Sequence, residues 1–229
     1  MPDARELQQF PMPKWANHLI ALVALPVCLG LTGTLFRLLE AGSHQTTIWV
    51  PLTAGAACWL VIYLLLPKPM LAYVFGHELT HVLWTWLFGG RVKKFKVSRK
   101  GGHVRVTKTN FLIMLSPYFF PLYALIVLGF FLAASRIWDW QTYHVWFHLL
   151  LGAAYSFHVT LTWHALKSEQ SDITAHGILF STVIIWLGNV IVLLLSLPTL
   201  VRVPYATVLR WMGEDGTEFF RWLWSWLGV

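Results

Sequence analysis

Acidic side chains are what this chain has least of. Ten aspartates and glutamates stand among 229 residues, and Asp3, Glu6, Glu214, Asp215 and Glu218 lie in the two tails. Charged residues of both signs make up only 12%. That excludes a disordered polyampholyte and an ordinary water-soluble domain, where about a quarter of residues are charged. Cysteine is equally scarce. Cys28 and Cys58 are the only two, too few for a disulfide framework or a cysteine zinc cluster. Each falls inside an apolar run and is expected as a small buried hydrophobe. No internal repeat or low-complexity linker is present. No cleavable leader is expected either, because the first sixteen residues are polar and proline-rich and the apolar run after them is too long for a signal-peptide core.

What is there in abundance is apolar: 57% of the residues are hydrophobic and 14 are tryptophan. These values predict an all-α polytopic membrane protein forming a single membrane domain over 1–229, with tryptophans at the bilayer interfaces. Six transmembrane helices are expected, at about 17–39, 47–66, 70–88, 111–134, 143–166 and 174–197. The first two form an N-terminal pair (17–66), and a core runs from 70 to 197. The remainder, 198–229, reads as an amphipathic helix lying on the membrane surface. The fourth span carries Ser116-Pro117-Tyr118-Phe119-Phe120-Pro121. Two prolines four apart imply either a kink or a broken segment whose freed carbonyls face protein or water.

Hydropathy breaks at 91–109. Arg91, Lys93, Lys94, Lys96, Arg99, Lys100, Arg105 and Lys108 stand there with no acid between them. Val92–Val97 and Val104–Thr107 alternate as strands around Ser98-Arg99-Lys100-Gly101-Gly102, predicting a short β-hairpin. The net charge of +7 is concentrated in this loop. It therefore speaks to orientation against an anionic inner leaflet rather than to nucleic acid. The loop is expected on the cytoplasmic side. Six alternating crossings would then put both termini outside and return the 167–173 loop to the cytoplasmic face.

Inside the third span stands Gly76-His77-Glu78-Leu79-Thr80-His81. Helix positions four apart share a face, so His77 and His81 project together. That spacing supplies two of the three protein ligands of a catalytic zinc ion, with Glu78 beside them as a base toward water. A carboxylate within an apolar span costs roughly 2.5–3.5 kcal/mol on insertion scales, so its presence points to function. The competing reading is polar glue between packed helices.

The third ligand must come from elsewhere, because Trp84 and Leu87 occupy the glycine and histidine positions of the longer motif. Glu40 and Asp139 are expected on the wrong side. Glu169 and Asp172 remain, with His158, His164 and His176 as nitrogen alternatives. Asp172 is favoured and His164 is next. Asp172 would have to reach inward by an unwound or re-entrant segment, since His81 lies about 12 Å from the helix end. His144 and His148 are also four apart but have no acid with them, which favours packing or anchoring. His158 is expected as a hydrogen-bonded core histidine.

GHELTH in a membrane helix, FGGRV at its end, the glycine-containing SRKGGHVRVTKTN, a proline-bearing next span and a later aspartate resemble the site-2 protease family of intramembrane zinc metallopeptidases. The likeness covers roughly 70–195. It implies Zn2+ held by His77, His81 and Asp172, with Glu78 activating water. The hairpin, through Val104, Arg105 and Val106, would present an unwound segment of a membrane-protein substrate. Ile173 stands where that family commonly has glycine, and no Asn-x-x-Pro precedes Asp172, so the oxyanion-stabilising residue is unassigned. No PDZ-type or cystathionine-type regulatory module is expected within these residues. The rival expectations are a non-catalytic metal-binding scaffold or pseudoprotease and, from the many histidines, a haem-binding redox protein.

Overall fold

The computed structural model describes residues 13–99, 101–137, 141–168 and 170–226. Long helices form the frame: α1 (Lys14–Gly42), α2 (Thr46–Leu65), α6 (His144–Leu166) and α8 (Ile178–Val201). All four are long and apolar enough to cross a membrane. Between them lie α3 (Met70–Leu87), the antiparallel strands β1 (Val92–Ser98) and β2 (Gly101–Val106), α4 (Phe111–Leu115), α5 (Leu122–Ala134) and the four-residue α7 (Ser171–Thr174). The last helix is α9 (Tyr205–Trp226).

Two parallel pairings set the architecture. Along α1 and α8, the Asn17 side-chain amide donates to the His176 carbonyl at 2.9 Å, Cys28 faces Val183, and Gly42 meets Val201. Along α2 and α6, a β-carbon at Gly55 would collide with the Leu149 carbonyl, and one at Gly152 with that of Leu52. Further along the same pair, Trp59 donates to the Thr160 hydroxyl at 2.8 Å. Small residues let helices approach to backbone contact where no hydrophobic drive separates helix from lipid.

These pairings correct the expectation of six alternating crossings. Alternation would place residues 66–70 opposite 167–173, and residue 17 opposite 174. Instead, Asn17 and His176 share one end. At that same end Met70, Tyr73 and Val74 cluster with Tyr63, Leu161 and Ala165. The chain from α3 through the hairpin folds back along α3, with Phe95 edge-on to Phe75 at 5.9 Å and Val97 in the Tyr73 cluster. Polarity is the reason. His77, Glu78, Thr80, His81 and Thr85 dilute the third segment, which is not among the four apolar helices. The described N-terminal residues and α9 therefore lie at opposite ends of the bundle. We call these the site end and the far end.

The fourth segment is broken rather than kinked. α4 and a 3-10 turn (Ser116–Tyr118) meet α5 at 80°. Asn110 caps α4 by accepting from the Ile113 amide at 2.8 Å. Asn189 on α8 donates to the Tyr118 carbonyl at 3.2 Å, serving a group that the break has freed. The last long helix starts at Ile178 rather than 174, because Gly177 (φ 89°) interrupts the chain in a conformation that side-chain-bearing residues rarely adopt.

Smaller differences follow the same logic. β2 begins at Gly101, so the hairpin turn is tighter than the five-residue turn expected. Cys28 is buried, but Cys58 lies on the outer surface of α2. A helix apolar on every side carries no periodic mark of which face turns inward. α9 docks across the far part of α1: Arg37 pairs with Asp215 at 2.7 Å and Glu214 at 2.9 Å, and Thr34 donates to Asp215 at 2.7 Å. Asp139, expected on the side away from the site, lies outside the described residues.

Candidate metal centre

α3 holds His77 and His81 one turn apart, with ring centroids 5.0 Å apart and planes nearly perpendicular. The His81 Nδ1–H donates to the Ile113 carbonyl at 2.8 Å. This fixes the ring and leaves the Nε2 lone pair free. Both Nε2 atoms lie 3.6 Å from one atom, Asp172 Oδ2. The three ligand atoms fall within 4.8 Å of one another and could hold a metal ion.

The spacing is compatible with a ligand set. At 3.6 Å these contacts exceed the usual 2.7–3.2 Å range of N–H···O bonds. Two ligands each about 2.0–2.1 Å from a tetrahedral zinc ion stand roughly 3.3 Å apart. Two imidazole nitrogens and one carboxylate oxygen, converging in a partly buried site, are a set that could hold a metal ion.

Glu78 is buried on the α3 face beneath the hairpin. A β-carbon at Gly102 would lie 2.6 Å from its carboxyl carbon, so any larger residue there would push the Glu78 side chain or the strand aside. Gly76 plays a comparable part on the next face, where it accepts the Tyr123 ring from α5. The depth gap between His81 and Asp172 closes because α3 begins at the end where α6 finishes. Ile173, beside Asp172, packs against the core of Leu115, Tyr118 and Phe180, and its carbonyl accepts from the Ser181 hydroxyl at 2.9 Å.

Of the other residues singled out, His164 lies in the last turn of α6 and is not part of the three-ligand group. His158 is buried in mid-α6. The His176 ring sits against Phe111 and Phe180 while its carbonyl binds Asn17. His144 and His148 meet edge-on at 6.2 Å on the first turns of α6, at the far end. Glu169 lies outside the described residues. Val104, Arg105 and Val106 lie on β2 opposite Phe95, Lys94 and Val92, and in the same strand Gly102 rests against Glu78.

Sequence reasoning did not single out Gly102, Ile113 or Tyr118 as site residues. The two prolines around Tyr118 were the one available signal, since a polar ring inside a broken apolar segment needs a partner. Comparison with protein-family models, with curated proteins and with solved structures gives no match.

Proposed function

We propose that the protein is a zinc-dependent intramembrane endopeptidase that hydrolyses a peptide bond in or near a membrane-spanning segment of its substrate. It would be a divergent relative of the site-2 proteases. The observation that carries this reading is the convergence of His77, His81 and Asp172, 91 positions apart in the chain at the last step, beside Glu78, the one buried acid among the described residues.

A bound zinc ion polarises a peptide carbonyl and acidifies water. His77, His81 and Asp172 would hold it, leaving the fourth position facing the substrate. Glu78 accepts the proton of the attacking water and delivers it to the leaving amine. A helical substrate hides its carbonyls, so it must unwind. The hairpin supports presentation of such a segment: β2 runs from Gly102, on Glu78, through Val104, Arg105 and Val106. An extended chain pairing along that strand would arrive next to the acid.

Orientation is proposed on the same charge argument with the helix order corrected. Lys14, Lys68, the described hairpin cations and Lys167 gather at the site end, whereas Glu40 and the Glu214–Asp215 pair on Arg37 lie toward the far end. The site would therefore face the cytoplasm of a multi-pass cell-membrane protein, against anionic lipid.

The test compares wild type with Glu78→Gln on a co-reconstituted membrane substrate. Cleavage should fall by about 10²–10⁴-fold while zinc content and folding are retained. Undiminished turnover would rule the mechanism out.

A further inference from the structure

The three site side chains come from α3 and α7, yet the groups that aim them belong to the broken segment between α4 and α5. Ile113, in α4, directs His81 through its carbonyl. Tyr118, in the 3-10 turn, touches the other two. Its ring stands edge-on to His77 at 5.5 Å, and its hydroxyl lies 3.3 Å from Asp172 Oδ2, the same oxygen that faces both imidazoles.

We propose that Tyr118 is a positioning residue for the metal centre, orienting the Asp172 carboxylate through its hydroxyl and bracing His77 with its ring. This deepens the metal-site reading and rests on it.

The need for such a brace follows from α7. Four residues between two long helices cannot fix a side chain by themselves, and Asp172 is only partly buried. Tyr118, in contrast, is 2% exposed, and Asn189 ties its carbonyl to α8. Its hydroxyl has two acceptors at 3.3 Å, Asp172 Oδ2 and Gln170 Oε1. The ionised carboxylate is the stronger acceptor. Gln170 cannot swing away, because its amide nitrogen is held by the Ala165 carbonyl at 3.0 Å and Ser168 at 2.9 Å. The phenol is thus a fixed point against which the Asp172 carboxylate is set. Partners of this kind typically account for about 10- to 100-fold in metal affinity.

The experiment titrates zinc into the full-length protein in detergent against a chelating fluorophore, and records the visible spectrum of the cobalt-loaded form. Tyr118→Phe should weaken zinc binding about 10- to 100-fold and shift the cobalt bands. The melting temperature of the metal-free protein should stay unchanged. Tyr118→Leu, which also removes the ring from His77, should weaken binding further. Tyr123→Phe is the control: its hydroxyl donates to the Ala72 carbonyl at 2.6 Å and touches no ligand, so zinc affinity should not move.

An affinity within twofold of wild type in Tyr118→Phe overturns the proposal. So does an equal loss in Tyr123→Phe, or a loss matched by a fall in metal-free stability. Failure of the wild type to bind zinc would instead sink the metal-site reading, and Tyr118 with it. Normal wild-type binding with an unaffected variant sinks the Tyr118 role alone.

Discussion

At the far end of the bundle, helices of 20 residues or more run uninterrupted; at the site end the chain passes through a hairpin, two short helices and a single turn within a similar length. The far end holds an apolar cavity of about 250 Å³ between α1, α2, α5, α6 and α8. Its order comes from length and from glycine-to-backbone contacts. The site end has neither resource. Its candidate site residues are met by groups from other elements: a carbonyl at His81, a phenol at Asp172, and a glycine of the strand that rests on Glu78. Converging side chains from distant elements demands irregular backbone, and irregular backbone in apolar surroundings must be served by neighbouring polar groups. The long helices supply the stability that such a site cannot supply for itself.

The comparison breaks most completely if the ligands are dispensable. Asp172→Ala should reduce bound zinc from one equivalent to none detectable by elemental analysis of purified protein, as should His77→Ala. An equivalent retained in both variants would mean that the short elements hold no metal. A smaller but still large effect is expected at the hairpin. Gly102→Val forces the strand off Glu78, and misplacement of about 1 Å costs on the order of 10²-fold in rate. Zinc content should be unchanged, so a parallel loss of metal would show that the hairpin serves the ligands and not the acid.

At the far end the same kind of substitution should act on stability alone. Gly55→Leu drives a side chain into the α6 backbone and should cost about 3 kcal/mol, read as a lower thermal midpoint. Zinc affinity of the folded fraction should remain that of the wild type. The mildest effect is expected from Arg37→Met. Its side chain is 39% exposed and solvent screens the pairs with Asp215 and Glu214, so their loss should cost only a slight lowering of the thermal midpoint. That cost should shrink in high salt, and its persistence would point to packing against Trp211, which Arg37 also covers at 5.1 Å.

Legibility differed between the two regions for physical reasons. Three of the four long apolar helices fell within three residues of their expected starts, and the hairpin fell where charge and turn chemistry put it. Elimination of the other acids left Glu169 and Asp172 with three histidines, so Asp172 was favoured over His164 without the spacing deciding between them. Six alternating crossings are not seen: among the described residues four helices are long and apolar enough to cross a membrane, or five if the bent 111–134 pair is one span. Strict alternation assumes that every apolar segment goes through, and α3 carries too many polar groups for that assumption. Cys58 was placed inside because a helix that is apolar all round gives no sign of its buried face. Tyr118 stayed invisible because its role depends on a 3.3 Å approach to a residue 54 positions away.

Local periodicity was enough, without any structure, to put two imidazoles on one helical face with an acid between them. Hydrogen bonding within a segment of the chain dictates that geometry, and so do the apolar runs and the basic turn. Which carboxylate meets the imidazoles, which end of the bundle they occupy and what steadies them were decided only by packing between elements far apart in the chain. Those contacts depend on how α3 folds back, which no short stretch of residues records, and on how sharply the 111–134 segment turns, which its two prolines marked without deciding between a kink and a break.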